Sequence, residues 1–377
     1  MTTSARAAVI EKQDGPFVFR DIEIEEPRPD EVLVRMVATG ICATDAHVRS
    51  QRMATPLPAV LGHEGAGVVE RVGGAVTSVA PGDHVVLSYH SCGRCGPCLS
   101  GHAAYCDDVR AANFAGARLD GSNGLRAPGG PGADPGPGPR GHFFGQSSFA
   151  THALAHRRNT VKVPSDLPLE VLAPLGCGFQ TGAGAVLTSL AVPVGASLAV
   201  FGVGAVGMAA VMAARVAGAA TIVAVDVDPA RLALARELGA THTVDPSEVD
   251  DPALALRAIA GRGLEYVLDT SGRPGNLDAG IGALASRGRF GFVAFQEGAG
   301  AVVDAGRLAM GRSLHGIIQG DAVSPLLINR LAELYRAGRF PIDRLLTFYD
   351  FADIGAAFDD AGAGRATKAV LRFAPPR

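Results

Sequence analysis

Between Ser197 and Phe295, short apolar runs alternate with longer stretches of helical periodicity. Ser197–Phe201, Thr221–Asp226, Tyr266–Asp269 and Arg289–Phe295 read as buried strands, and Ala205–Ala217 and Pro229–Leu238 as helices. This order predicts a parallel sheet with helices on both faces. The first 110 or so residues carry a different rhythm. Val32–Val37 and Gly67–Val72 are β-branched runs, and Pro81-Gly82-Asp83-His84 signals a turn before Val85-Val86-Leu87. That stretch predicts a β-rich, partly barrel-like domain. From Phe114 to Gly141 glycine and proline dominate, which excludes a helix or a central strand and predicts a long surface loop. An apolar helical segment follows over Leu169–Leu190, and a further helix over Leu326–Ala337.

Length and composition narrow the class. At 377 residues the chain exceeds one ordinary core, so two domains are expected. With 47% hydrophobic and 19% charged residues it is a globular sequence, not a disordered one. A net charge of -3 gives no reason to expect nucleic acid or an anionic membrane as partner. The apolar run Leu198–Ala214 is broken by glycines and suits a strand plus a helix better than a membrane span. The first residues lack the apolar core of a signal peptide, so a cytoplasmic location is expected.

Six cysteines in such a chain point to metal or catalysis rather than disulfides. Cys92, Cys95, Cys98 and Cys106 form a C-x₂-C-x₂-C-x₇-C pattern, suited to a closed, structural zinc site. An iron–sulfur cluster is the alternative, but its bacterial run spaces the fourth cysteine more tightly and follows it with proline, where Asp107 stands here. Redox or unpaired thiols are a third possibility. Cys42 and Cys177 remain, with His63 of Gly62-His63-Glu64 between them in sequence. Two thiolates and an imidazole suit a zinc whose fourth position stays open for chemistry.

Gly202-Val203-Gly204-Ala205-Val206-Gly207 lies between a predicted strand and a predicted helix. There Gly202, Gly204 and Gly207 allow a tight turn, close approach of a pyrophosphate and close helix–strand packing. Val206 lies within the same turn. Asp226 ends the next strand at the spacing of an acid that binds the adenosine ribose, which favours NAD over NADP. Arg231, five residues on, is placed where it can serve a phosphate instead.

In this order the motifs resemble the zinc-dependent medium-chain dehydrogenase/reductase (alcohol dehydrogenase) family. Asn113–Gly116, Phe143–Ala150 and Leu175–Gly182 look most like its aryl- (benzyl-) alcohol dehydrogenase branch. The resemblance covers nearly the whole chain. It implies a GroES-like catalytic domain over 1–172 and 326–377, with the structural zinc lobe at 91–107, and a doubly wound Rossmann domain over 173–325. It implies two Zn2+ per subunit, the catalytic one on Cys42, His63 and Cys177. It further implies that Asp45 orients His63, that Glu64 lies behind the metal, and that Thr44 and His47 relay the alcohol proton. Thr181 would pack beside the nicotinamide and Lys368 near the pyrophosphate. Ala43 departs from the basic or imidazole side chain common at its position, leaving Arg231 and Lys368 more of the phosphate binding. A homodimer or homotetramer is implied as well.

The expected activity is NAD-dependent, reversible oxidation of aromatic or allylic primary alcohols to aldehydes. Zinc acidifies a bound alcohol, the alkoxide gives up hydride, and a histidine can take the proton near neutral pH. Phe114, Phe143, Phe144, Phe149 and Phe295 are candidate pocket lining. Two alternatives are enzymes as well, a thiol-adduct (formaldehyde-type) dehydrogenase and a biosynthetic dehydrogenase for a terpenoid or polyketide alcohol. A non-catalytic, zinc-stabilised redox sensor is a third, against which the proton relay argues.

Overall fold

The computed structural model describes residues 2–129, 137–294 and 303–374. The chain forms two compact units: residues 1–177, 323–333 and 342–377 in one, residues 178–322 and 334–341 in the other.

The first unit is built on sheets that are antiparallel except where Leu346–Asp350 runs parallel to Lys368–Arg372. A seven-stranded sheet runs Leu346–Asp350, Lys368–Arg372, Glu31–Gly40, Gly65–Val72, His84–Leu87 and Thr160–Lys162, with His152–His156 also paired to Glu31–Gly40. The expected strands at Val32, Gly67 and Val85 are therefore present, each extended by one to a few residues. A four-stranded sheet runs Ala59–Val60, Thr3–Ile10, Phe17–Ile24 and Leu125–Arg126. Ile10, Ile22, Leu33, Phe143 and Phe149, all nearly solvent-free, join one apolar core. Truncating such a buried phenylalanine costs about 3–5 kcal/mol.

The second unit holds a parallel sheet in the order His242–Val244, Thr221–Val225, Ser197–Phe201, Leu264–Asp269, Leu284–Phe292, Ser313–Gly316. Helix Ala205–Ala217 matches its predicted bounds and stops where Gly218 turns left-handed, with φ 81°. Helix Pro229–Leu238 starts on Asp228, whose carboxylate accepts the Ala230 and Arg231 amides, with proline at its first position.

Two expectations change. The segment Leu169–Leu190 is not one helix: it breaks at Cys177, whose φ/ψ of −143°/−83° is non-helical. Pro174 cannot continue the ladder there, and Gly176 packs so closely that a Cβ would lie 2.1 Å from the Leu87 carbonyl oxygen. The Phe114–Gly141 stretch is better anchored than a plain surface loop. Its Leu125–Arg126 forms an edge strand, and the Arg118 side chain is buried, with Nε 2.6 Å from Glu31 and Nη1 3.1 Å from Glu25. Residues 130–136 of this stretch, and Phe295, lie outside the described residues.

Among the described residues no single helix is long and apolar enough to cross a membrane. The run Leu198–Ala214 resolves into the strand and helix expected.

Candidate metal and dinucleotide sites

Cys42 sits in extended backbone just before helix Ala43–Arg49, and Asp45 in its first turn folds back so that Oδ2 accepts the Cys42 amide at 3.0 Å. The other Asp45 oxygen accepts the Gly62 amide at 3.1 Å and faces His63 Nδ1 at 3.0 Å. Asp45 thus ties the backbone of one metal-ligand candidate to the ring of another. Gly62 has φ 89°, and a Cβ there would come within 2.6 Å of Phe149. Only glycine turns the chain this sharply and leaves His63 facing inward.

His63 is fully buried. Its ring stacks on Phe144 at 4.4 Å and meets the edge of Phe143 at 5.5 Å. With Nδ1–H donated to Asp45, Nε2 is left as an acceptor, and it has no hydrogen-bond partner among the described residues. A buried, unpaired ring nitrogen costs free energy unless something binds it. The Sγ atoms of Cys42 and Cys177, a His63 ring nitrogen and a Glu64 carboxylate oxygen all lie within 4.8 Å of one another. Ser88 Oγ holds the turn before Cys177 by donating to the Gly176 carbonyl at 2.7 Å. Two soft thiols and one imidazole around an orphaned nitrogen fit a zinc ion.

The electrostatics point the same way. The Cys177 thiol, directed at Cys42, holds the Cys42 thiol well below its ordinary value, against burial. Cys177 is correspondingly raised by Cys42 and by burial. Although burial disfavours its charged form, Asp45 lifts His63 well above the usual imidazole value. Such a site trades protons for a cation.

Glu64 and Lys368 occupy the same buried region. Lys368 Nζ donates to both Glu64 oxygens, at 2.8 and 2.9 Å, and to the Ile41 carbonyl at 3.0 Å. Burial pushes Glu64 up to about 7, while Lys368, although burial opposes its charge, is held above its ordinary value by Glu64. An ammonium has three donors, and all three are used here. Lys368, expected near the pyrophosphate, is 4% exposed and pairs with Glu64.

The four remaining cysteines form a second cluster, their Sγ atoms also within 4.8 Å of one another. Backbone amides point at the sulfurs: Cys92 N–H to Cys106 at 3.3 Å, Arg94 N–H to Cys92 at 3.5 Å and Asp107 N–H to Cys95 at 3.5 Å. The Asp107 amide, followed by that of Cys98, lowers Cys95 to about 7. A sulfur solvated by amides is ready to be a thiolate ligand. Four thiols, with no fifth donor grouped with them among the described residues, suit a closed site.

In the second unit, strand Ser197–Phe201 runs into Gly202, at φ 78°, and Gly204 caps helix Ala205–Ala217. A Cβ on Gly207 would meet the Gly202 carbonyl oxygen at 1.9 Å, and one on Gly182 would meet that of Val206 at 2.0 Å. Asp226 closes the turn: Oδ2 accepts the Val203 amide at 2.8 Å and Oδ1 the Asp228 amide at 3.1 Å. The parallel register that pairs Phe201 with Val225 puts Gly202 and Asp226 at the same sheet edge. A helix N-terminus behind a glycine turn with an acid beside it suits a dinucleotide.

Comparisons with known proteins agree. Residues 28–165 match the alcohol dehydrogenase GroES-like domain, and residues 205–333 the zinc-binding dehydrogenase domain. The chain is 44% identical over 373 residues to a geraniol dehydrogenase of Castellaniella defragrans, covering 98% of each. The chain belongs to the zinc-dependent medium-chain alcohol dehydrogenase family.

Solved structures extend the likeness. An alcohol dehydrogenase zinc-binding domain protein from Burkholderia ambifaria matches at 51% identity and a TM-score of 0.95, covering 100% of both chains. Benzyl alcohol dehydrogenase from Acinetobacter calcoaceticus matches at 42% and 0.93, covering 99% of this chain and 100% of that one. As a zinc-dependent alcohol dehydrogenase the protein is an oxidoreductase acting on alcohols, and its family implies zinc and a nicotinamide dinucleotide. The GroES-like plus Rossmann architecture is the expected one.

Within this dehydrogenase the remaining residues fall as follows. Thr44 is half-buried, its Oγ1 3.8 Å from Cys42 Sγ, and His47 lies one turn on along the same helix. Thr181 is half-buried on helix Gly178–Gly184. Arg231 Nε lies 3.5 Å from the Asp228 carboxylate. Phe114, Phe143 and Phe144 form one aromatic group touching His63. Phe149 is a correction: it is solvent-free and packs edge-on to Phe17 and Phe358, so it is core rather than lining.

Sequence reasoning gave no role to Gln146. Its Nε2 donates to the His63 and Ser88 carbonyls, both at 3.0 Å, and its Oε1 accepts the Gly65 amide at 3.0 Å. It braces the peptide on either side of Glu64. Lone glutamines carry no local signal of such a task.

Proposed function

We propose that the protein is an NAD-dependent alcohol dehydrogenase with two zincs per subunit that interconverts aromatic or allylic primary alcohols and their aldehydes. The observation that carries this reading is the unpartnered Nε2 of His63 facing the Cys42 and Cys177 thiols. The substrate class is supported by the geraniol and benzyl alcohol dehydrogenases among its relatives, whose named alcohols are allylic and aromatic. Phe144 against His63, with Phe114 packed on Phe144, is compatible with a flat, apolar substrate.

Cys42, His63 and Cys177 would hold a zinc whose Lewis acidity would lower the pKa of an alcohol hydroxyl, and a dinucleotide held by the Gly202–Gly207 turn would serve as the hydride acceptor. The chain's own residues do the rest. Asp45 fixes the His63 tautomer so that Nε2 remains a ligand. Thr44 takes the hydroxyl proton, and His47, three residues on and on the same helical face, receives it. The Gly202–Gly207 turn binds the pyrophosphate, with Arg231 contributing nearby, and Thr181 packs against the nicotinamide. Asp226 accepts from the ribose hydroxyls and repels a 2′-phosphate, which selects NAD.

The test is a screen of NAD and NADP reduction over benzyl, cinnamyl, geranyl and short aliphatic alcohols, with and without a zinc chelator. The expected result is chelator-sensitive NAD reduction, fastest with the first three and independent of added thiol. Preference for aliphatic alcohols or for NADP would overturn the specific reading.

A further inference from the structure

Strand Lys368–Arg372 pairs with Glu31–Gly40 so that Val370 faces Gly40 and Leu371 faces Thr39, and the Ile41 amide donates to the Ala369 carbonyl at 2.9 Å. This register carries Lys368 past the end of the neighbouring strand, to the level of Ile41 and Cys42. There its ammonium grips both oxygens of Glu64. Gly40 makes the berth for that carboxylate, because a Cβ on it would lie 2.0 Å from Glu64 Oε2. The same Glu64 has an oxygen within 4.8 Å of the candidate ligand atoms of Cys42, His63 and Cys177. It is near enough to be a fourth ligand, and it is tied elsewhere.

Coordination number decides what such a site can do. Four protein ligands close a zinc site, whereas three leave a position for substrate. A buried carboxylate next to a divalent cation is drawn toward it unless hydrogen bonds or another charge hold it elsewhere. We propose that Lys368 is a positioning residue that holds Glu64 off the catalytic metal and thereby keeps its fourth position open to the alcohol. Gly40 supplies the space that makes this hold possible. The inference rests on the reading that Cys42, His63 and Cys177 bind the catalytic zinc.

The test uses the full-length enzyme with cobalt(II) in place of the catalytic zinc, because the visible bands of cobalt report its ligands and coordination number. Wild type and Glu64→Gln are expected to share one spectrum, since Glu64 is not a ligand at rest. Lys368→Met is expected to show weaker, shifted bands as the freed carboxylate joins the metal, with kcat about 10-fold lower or worse. The double variant Lys368→Met/Glu64→Gln regains the wild-type spectrum and part of kcat. A folded Lys368→Met with unchanged bands overturns the proposal. So does a shifted spectrum in Glu64→Gln alone, which settles the matter even where Lys368→Met does not fold. Wild type that takes up only the one cobalt of the four-cysteine lobe sinks the metal-site reading itself, a different outcome from either.

Discussion

Asp45 Oδ1 faces His63 Nδ1 at 3.0 Å, with both side chains wholly buried. The same carboxylate accepts two backbone amides, from Cys42 and Gly62, so one side chain serves three donors. Asp45→Asn keeps the shape but has one acceptor oxygen where two were used, and it brings N–H groups toward other donors. The expected result is a 10–100-fold loss of zinc affinity or of kcat/KM, with dinucleotide binding unchanged. Zinc per chain after dialysis against a chelator, read beside the kinetics, checks it.

The lobe around Cys92, Cys95, Cys98 and Cys106 carries a separate prediction. Its four thiols leave no open ligand position, and its amide-to-sulfur bonds order a short, glycine-containing segment with little apolar burial of its own. Cys98→Ser should remove one zinc per chain and lower Tm on the order of 5 °C, the shift that follows from a loss of about 2 kcal/mol in a domain of this size. Metal analysis and a thermal melt decide. A variant that keeps two zincs would mean the lobe is not a metal site.

Asp226 is committed to the glycine turn as well as being free to accept more. Both of its oxygens hold backbone amides, yet a carboxylate has about four acceptor sites. Asp226→Asn retains the size, removes the charge and should weaken NAD by about 1.5–3 kcal/mol, roughly 10–150-fold in KM. The penalty for NADP should fall at the same time, because the repulsion of a 2′-phosphate is gone. Equal losses for both cofactors would show that Asp226 only shapes the turn.

How far the chain could be read in advance depends on how local each interaction is. Gly202–Gly207 and the bounds of helix Ala205–Ala217 were legible because glycine punctuation and a 3.6-residue period act over a few residues. The two cysteine sets were legible because thiolates are ligands that zinc favours and the chain has only six cysteines to place. The Glu64–Lys368 pair was not, since its partners are 304 positions apart and only sheet register unites them. The stacking of Phe144 on His63 was not legible, because at φ 51° it has a left-handed backbone that no periodicity signals. The break at Cys177 sat inside an apolar run whose composition suits an unbroken helix.

A last prediction concerns acid stability and His142. This histidine is buried at φ 58°, and its Nε2 accepts the Gly124 amide at 3.2 Å, which requires an unprotonated nitrogen. Burial, helped by the Arg118 and Arg28 charges, lowers it to about 3. In the unfolded chain it titrates near 6.5, so between pH 6.5 and 3 the unfolded state binds the extra proton. The stabilisation is therefore fully present above about pH 6.5 and is lost as pH falls toward 3, at up to ~1.4 kcal/mol per pH unit. His142→Gln, which can still accept the Gly124 amide, should flatten the fall of Tm between pH 6.5 and 4.5 while costing some packing at pH 8. Parallel melts across that range test it, and an unchanged slope in the variant would place the acid sensitivity on other groups.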